Sequence, residues 1–135
     1  MPRNKKTVNR LAILAAIALP AYGDYIKRSK IIDATQKLST ARVKMEQLFL
    51  DRRSYTTGCA NTNIIPTLAP DDSFALTCAA NATTYTLTAT GIAAKGMPAA
   101  FVYTINQNNQ KTSTGPSGWS GNAACWATRK DGSCS

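Results

Sequence analysis

LAILAAIALPAYGDYIKRSKIIDATQKLSTARVKMEQLFLDRR, residues 11–53, reads as one long helix of two unlike halves. Leu11 to Leu19 carries no polar side chain, and at about 1.5 Å of rise per residue it covers roughly half of a bilayer's ~30 Å hydrocarbon core. Alone, that run is too short to cross a membrane. Pro20 lacks a backbone donor and crowds the carbonyl four residues earlier, so a helix kink is expected there. Beyond it, Ile31, Ala34, Leu38, Ala41, Met45 and Leu48 alternate steps of three and four and lay an apolar packing seam along one helix face. Lys30, Lys37 and Lys44 stand a heptad apart on another face, and Asp33 precedes Lys37 by four residues in the favourable acid-then-base order. The seam is expected to face protein and the lysine row to face water.

The helix should end near Arg53, where Ser-Tyr-Thr-Thr-Gly-Cys turns small and β-branched and Gly58 suits a reversal. From Thr56 to Asp72 the chain is rich in Thr, Asn and Pro, with Pro66 and Pro70 blocking regular structure, which predicts a connecting loop. Four strands are predicted at Phe74–Thr77, Thr83–Thr90, Ala100–Asn106 and Lys111–Thr114. Tyr85, Leu87 and Ala89 alternate with threonines, and Phe101, Tyr103 and Ile105 repeat the pattern, the period of a sheet with one buried face. Asn-Gln-Asn-Asn-Gln at 106–110 supplies a hairpin turn. The expected fold class is α+β, a long N-terminal helix packed on a four-stranded antiparallel β-meander. The chain divides into a basic leader or tag-like segment at 1–10, the helix at 11–53 and a globular head at 54–135.

A head of this size has a marginal core unless it is stapled. Cys59, Cys78, Cys125 and Cys134 supply an even count, and without histidine or C-x-x-C spacing they read as two disulfides, not as zinc ligands or a redox pair. Of the three connectivities, Cys125–Cys134 is preferred because its loop contains Asp-Gly, and Cys59–Cys78 follows by elimination. Such bonds imply an oxidising compartment. Residues 1–10 followed by a short apolar run also fit a secretory signal peptide with Ala16-Ile17-Ala18 as its cleavage site, and either reading exports the head.

The formal net charge of +9 is unevenly spread, with twelve Lys/Arg against four Asp/Glu up to Arg53 and four against three thereafter. A solvated basic helix face and a basic leader account for most of it. Without histidine, Ser-His-Asp and Cys-His arrangements are excluded, and adjacent Asp71 and Asp72 read as a turn cap with no third metal ligand nearby. Glu46 beside Arg42 reads as an ordinary helix ion pair. No enzyme, cofactor or metal site is expected. In the Gly/Ser-rich tail, Trp126 is expected to pack beside Cys125, and Trp119, flanked by Gly118 and Gly121, to be exposed.

The words ILAAIALPAYGDYIKRSK, above all Leu-Pro-Ala-Tyr-x-Asp-Tyr at Leu19–Tyr25, followed by an amphipathic helix and a β-rich head closed by cysteines, resemble the type IV pilin family. Within it the chain is most similar to the small four-cysteine minor pilins of the type IVa, PilE-like kind, related to the DNA-uptake pilins. That family carries a basic leader, a cleavage-site glycine, Phe-Thr-Leu-Ile-Glu and a longer apolar helix. Here MPRNKKTVNR leads straight into LAILAAIAL, with no Gly before Gly23 and no Glu before Glu46. As it stands, the sequence is expected to behave as a soluble monomer and not to polymerise.

The resemblance implies a structural subunit of a type IV pilus, in which N-terminal helices bundle while the heads display a surface for adhesion, twitching motility or aggregation. Its implied partners are other pilin subunits and the pilus assembly machinery, with an inner-membrane pool before assembly and a final place on the bacterial surface or in the periplasm. Two alternatives stay open, a DNA receptor for natural transformation and a secreted soluble pilin-like domain. A secretion pseudopilin is disfavoured by the cysteine pairs. Candidate ligand or DNA contacts are Lys95, Lys111, Arg129 and Lys130, with Trp119 as a stacking side chain.

Overall fold

The computed structural model describes residues 5–134, with side chains from Tyr22 onward. Helix α1 runs over Lys5–Arg52, six residues earlier than Leu11, so the basic residues of 5–10 continue the helix. Pro20 and the signal-type cleavage site at 16–18 both lie within α1, which continues as helix through them. No helix among the described residues is long and apolar enough to cross a membrane.

Helix α1 stops where Arg53 adopts a left-handed φ of 56° and its N–H donates to the Phe49 carbonyl at 2.7 Å. A loop then leads to β1 (Phe74–Ala80), β2 (Tyr85–Gly91), β3 (Val102–Asn106) and β4 (Lys111–Thr114), joined in that order as an antiparallel sheet. Strand β1 extends three residues past the expected end, into the tight turn organised by Asn81, whose Oδ1 accepts the Thr83 and Thr84 N–H groups at 2.9 and 2.8 Å. A 3-10 turn at Ala93–Lys95 joins β2 to β3.

The register sets Leu87 opposite Ile105 and Ala89 opposite Tyr103, which points one apolar row at the helix. Ile31, Ala34, Leu38, Ala41 and Met45 are buried against that row, and Leu48 packs at its margin. Full burial of each large aliphatic side chain contributes about 1.5–3 kcal/mol. The loop closes the head end of this core with Tyr55 and Ile64. It comes so close to the helix at Gly58 that a Cβ there would run into Met45 Sδ.

Two polar features differ from expectation. Glu46 does not pair with Arg42. Its carboxylate accepts the Tyr85 hydroxyl at 2.9 Å and the Tyr55 hydroxyl at 3.2 Å, because β2 and the loop bring both phenols over the helix next to Met45. Arg42 Nε is buried without a hydrogen-bond partner. The lysine row does not simply face water either: Lys30 Nζ donates to the Lys95 carbonyl at 2.8 Å, Lys37 pairs with Asp72, and Lys44 Nζ donates to the Asn63 carbonyl at 2.6 Å. One heptad row thus clips the helix to the loop before β1 and to the β2–β3 connection. Asp72 Oδ2 also accepts the Ala69 N–H at 2.7 Å, so it caps its turn while holding Lys37.

Candidate functional site

The tail is built onto β4 by side chains whose roles are local. Ser113 exchanges backbone hydrogen bonds with Asn122, and its buried hydroxyl donates to the Cys125 carbonyl at 2.8 Å while accepting the Ala127 N–H at 2.9 Å. Tyr103 Oη donates to the Ala127 carbonyl at 2.8 Å, and burial pushes its phenol well above the ordinary value. Trp126 Nε1 donates to the Thr104 carbonyl at 2.8 Å. The cysteines join as Cys59–Cys78, with Cα atoms 5.3 Å apart, and Cys125–Cys134, 6.1 Å apart, and none is free. Gly132, at φ 87°, closes the second loop with a hydrogen bond to the Arg129 carbonyl, and the Asp131 carboxyl is held below its usual value, chiefly by the Ser133 hydroxyl.

Trp119 is a correction. It is 7% exposed, with its ring edge-on to Phe101 at 5.4 Å, because the Pro116–Trp119 turn folds it back under the sheet instead of releasing it between its flanking glycines. Its stacking face is not free for a ligand. Trp126 is also buried, at 9%.

Of the candidate cations, Lys111 begins β4, Arg129 and Lys130 stand in the Cys125–Cys134 loop, and Lys95 lies in the β2–β3 connection. Lys111 Nζ lies 4.4 Å from the Trp126 ring, a cation–π contact that orients the side chain. Lys130 Nζ is 3.0 Å from Asp24 Oδ2 and 5.9 Å from the Trp119 ring. Arg129 is exposed in the disulfide loop.

The outer face of the sheet adds residues whose sequence implies only a solvated strand face and a turn. Thr86, Thr104, Asn106, Asn109, Gln110 and Lys111 line an open polar groove of about 700 Å³, bounded by Ala123 and Ala124. The signal was present as the even-numbered threonines facing away from the core, but it does not distinguish a groove from bare surface.

The groove sets the Lys111 ammonium beside hydrogen-bonding amides and hydroxyls. Residues 20–99 match the family model described as Type IV minor pilin ComP, DNA uptake sequence receptor. That segment holds Lys95 and leaves out Lys111, Trp119, Arg129 and Lys130. Among solved structures, the non-core minor pilin PilV of Neisseria meningitidis superposes with a TM-score of 0.57 at 18% identity, covering 70% of this chain and 92% of that one, which shows a shared fold. No protein of curated function matches the chain. With more than half of its length inside the family model and the pilin fold in its helix and sheet, the chain belongs to the type IV minor pilin family.

Proposed function

We propose that this type IV pilus-related subunit is a DNA receptor, presenting the basic surface of β4 and the tail to duplex DNA for uptake. The observation that carries this reading is the family match over residues 20–99, whose description is of a DNA uptake sequence receptor. Support comes from the contacts that hold Lys111 over Trp126 and Lys130 against Asp24. Cations that are already ordered lose little side-chain freedom when they meet phosphate, and the disulfide holds Arg129 and Lys130 on a short closed loop. The two disulfides fit export to an oxidising compartment, at the cell surface or in the periplasm. Association with other pilins and the assembly machinery would use α1.

Each neutralised phosphate contributes about −0.9 to the slope of log affinity against log salt on duplex DNA. Mobility-shift titration of the whole chain from low to moderate salt should therefore give a slope of roughly −3 for three cations. Arg129→Ala with Lys130→Ala should weaken binding to every sequence and reduce the slope by about two. Binding that is absent at low salt, or unaffected by the double substitution, would count against the receptor reading.

A further inference from the structure

The Asn-Gln-Asn-Asn-Gln turn between β3 and β4 is richer in amides than a hairpin needs. Asn106 and Gln107 do the structural work. Asn106 Oδ1 accepts the Asn108 and Gln110 N–H groups at 3.0 and 3.1 Å, its Nδ2 donates to Gln110 Oε1 at 2.8 Å, and Gln107 Oε1 accepts the Tyr85 N–H at 3.2 Å. Asn109 takes the left-handed φ of 60°, which asparagine tolerates and which reverses the chain. The side chains of Asn108 and Asn109 make no hydrogen bond among the described residues, and Gln110 uses only its Oε1. All three are exposed in the turn that ends the β3–β4 hairpin, and the next residue is Lys111, held over Trp126.

We propose that this hairpin tip is a base-reading element, in which Asn108, Asn109 and Gln110 contact base edges in the major groove while Lys111 anchors the adjoining phosphate. The inference rests on the DNA-receptor reading and adds to it a division of labour, since the tail cations carry affinity without sequence information. The chemistry fits, since Asn or Gln carboxamides pair in bidentate fashion with adenine N6 and N7 in the major groove. Amides that fold the turn are preset, and amides that project from it carry paired donor and acceptor groups, as readout demands. The tip lies outside the segment that matches the family model, so its preference would belong to this chain.

The test is selection of duplexes from a random library by the whole chain, followed by affinity measurement on the enriched and a scrambled duplex. The reference protein is compared with an Asn108→Ala, Asn109→Gly, Gln110→Ala variant, glycine being chosen to keep the positive φ. The reference protein should enrich an adenine-containing motif and prefer it at least about ten-fold. The variant should lose that preference while keeping its affinity for the scrambled duplex, its salt slope and its melting temperature. Lys111→Ala should instead weaken both duplexes alike and lower the slope by about one. An unchanged motif in the triple variant overturns the inference and leaves the receptor reading standing. Failure of the reference protein to bind any duplex at low salt overturns both.

Discussion

Lys130, on the disulfide-bounded loop, reaches Asp24 on α1 with its ammonium 3.0 Å from the carboxylate, so the C-terminal tail is tied to the helix just beyond Pro20. Both side chains are partly exposed, at 54% and 37%, and a pair of that kind contributes about 0–1 kcal/mol to stability. Its larger consequence is for charge. Asp24 partly cancels one of the few cations that the tail presents.

Asp24→Asn is therefore expected to strengthen DNA binding by a few-fold at low salt, with the gain vanishing as salt rises. The melting temperature should move by less than about 3 °C. Mobility shift and thermal denaturation check this, and weaker binding would show that Asp24 serves by ordering Lys130 and not by shielding it.

Leu38→Asp and Met45→Asp should each cost several kcal/mol, because both place an unpaired charge in a seam that is 0% exposed. Lys37→Ala should cost about 1 kcal/mol or less, the scale of a partly exposed pair, although Lys37 bridges Asp33 and Asp72. Urea midpoints for the three variants give the comparison. Equal midpoints would show that the helix does not depend on the sheet for its stability.

Thiol titration of the unfolded, unreduced chain should find essentially no free thiol, as both pairs are bonded. Removing Cys125–Cys134 by paired serine substitution should lower stability by about 2–3 kcal/mol for its short loop. DNA affinity should fall with it, because Arg129 and Lys130 then lose their closed loop. Retained affinity in a folded serine variant would detach the cations' function from the disulfide.

The pH profile has two limbs. The hydrogen bond from Lys37, followed by that from the Ala69 N–H, holds the Asp72 carboxyl below the ordinary 3.8, so its contribution is present above that value and is lost as pH falls through the folded-state pKa. Lys37, raised above 10.5 mainly by the same hydrogen bond, contributes below that value and loses its contribution as pH rises through its folded-state pKa. Burial raises Tyr85 and Tyr103 as well, with Glu46 adding to Tyr85, so folding opposes their ionisation and stability declines above about pH 10. Urea unfolding across pH should show Asp72→Asn less stable than the reference protein at neutral pH, with the difference closing below 3.8. A constant difference down to pH 2 would remove Asp72 from the acid limb.

What the sequence made legible was periodic. Steps of three and four along α1 and of two along β2 and β3 identified the faces that meet, and β4 falls on Lys111–Thr114 as predicted. What it hid depends on chain returning from a distance. Nothing local to Trp119 announces Phe101, and nothing local to Glu46 announces two phenols arriving from positions 55 and 85. The lysine row misled for a related reason: a heptad spacing of cations looks solvated until the partners at 63, 72 and 95 fold over it. The amides of the β3–β4 turn could be read as a turn, but only hydrogen-bond accounting separates those that build it from those that are spare.

The bridge between Ser113 and Asn122 has a further consequence. An open edge strand is a template on which a second copy can pair, and β4 would be one if the tail did not return to occupy it. At the opposite margin, Cys78 fastens β1 to the preceding loop. With the edge-facing N–H and C=O of Ser113 taken by Asn122, the tail blunts the β4 edge as a template for pairing with a second copy.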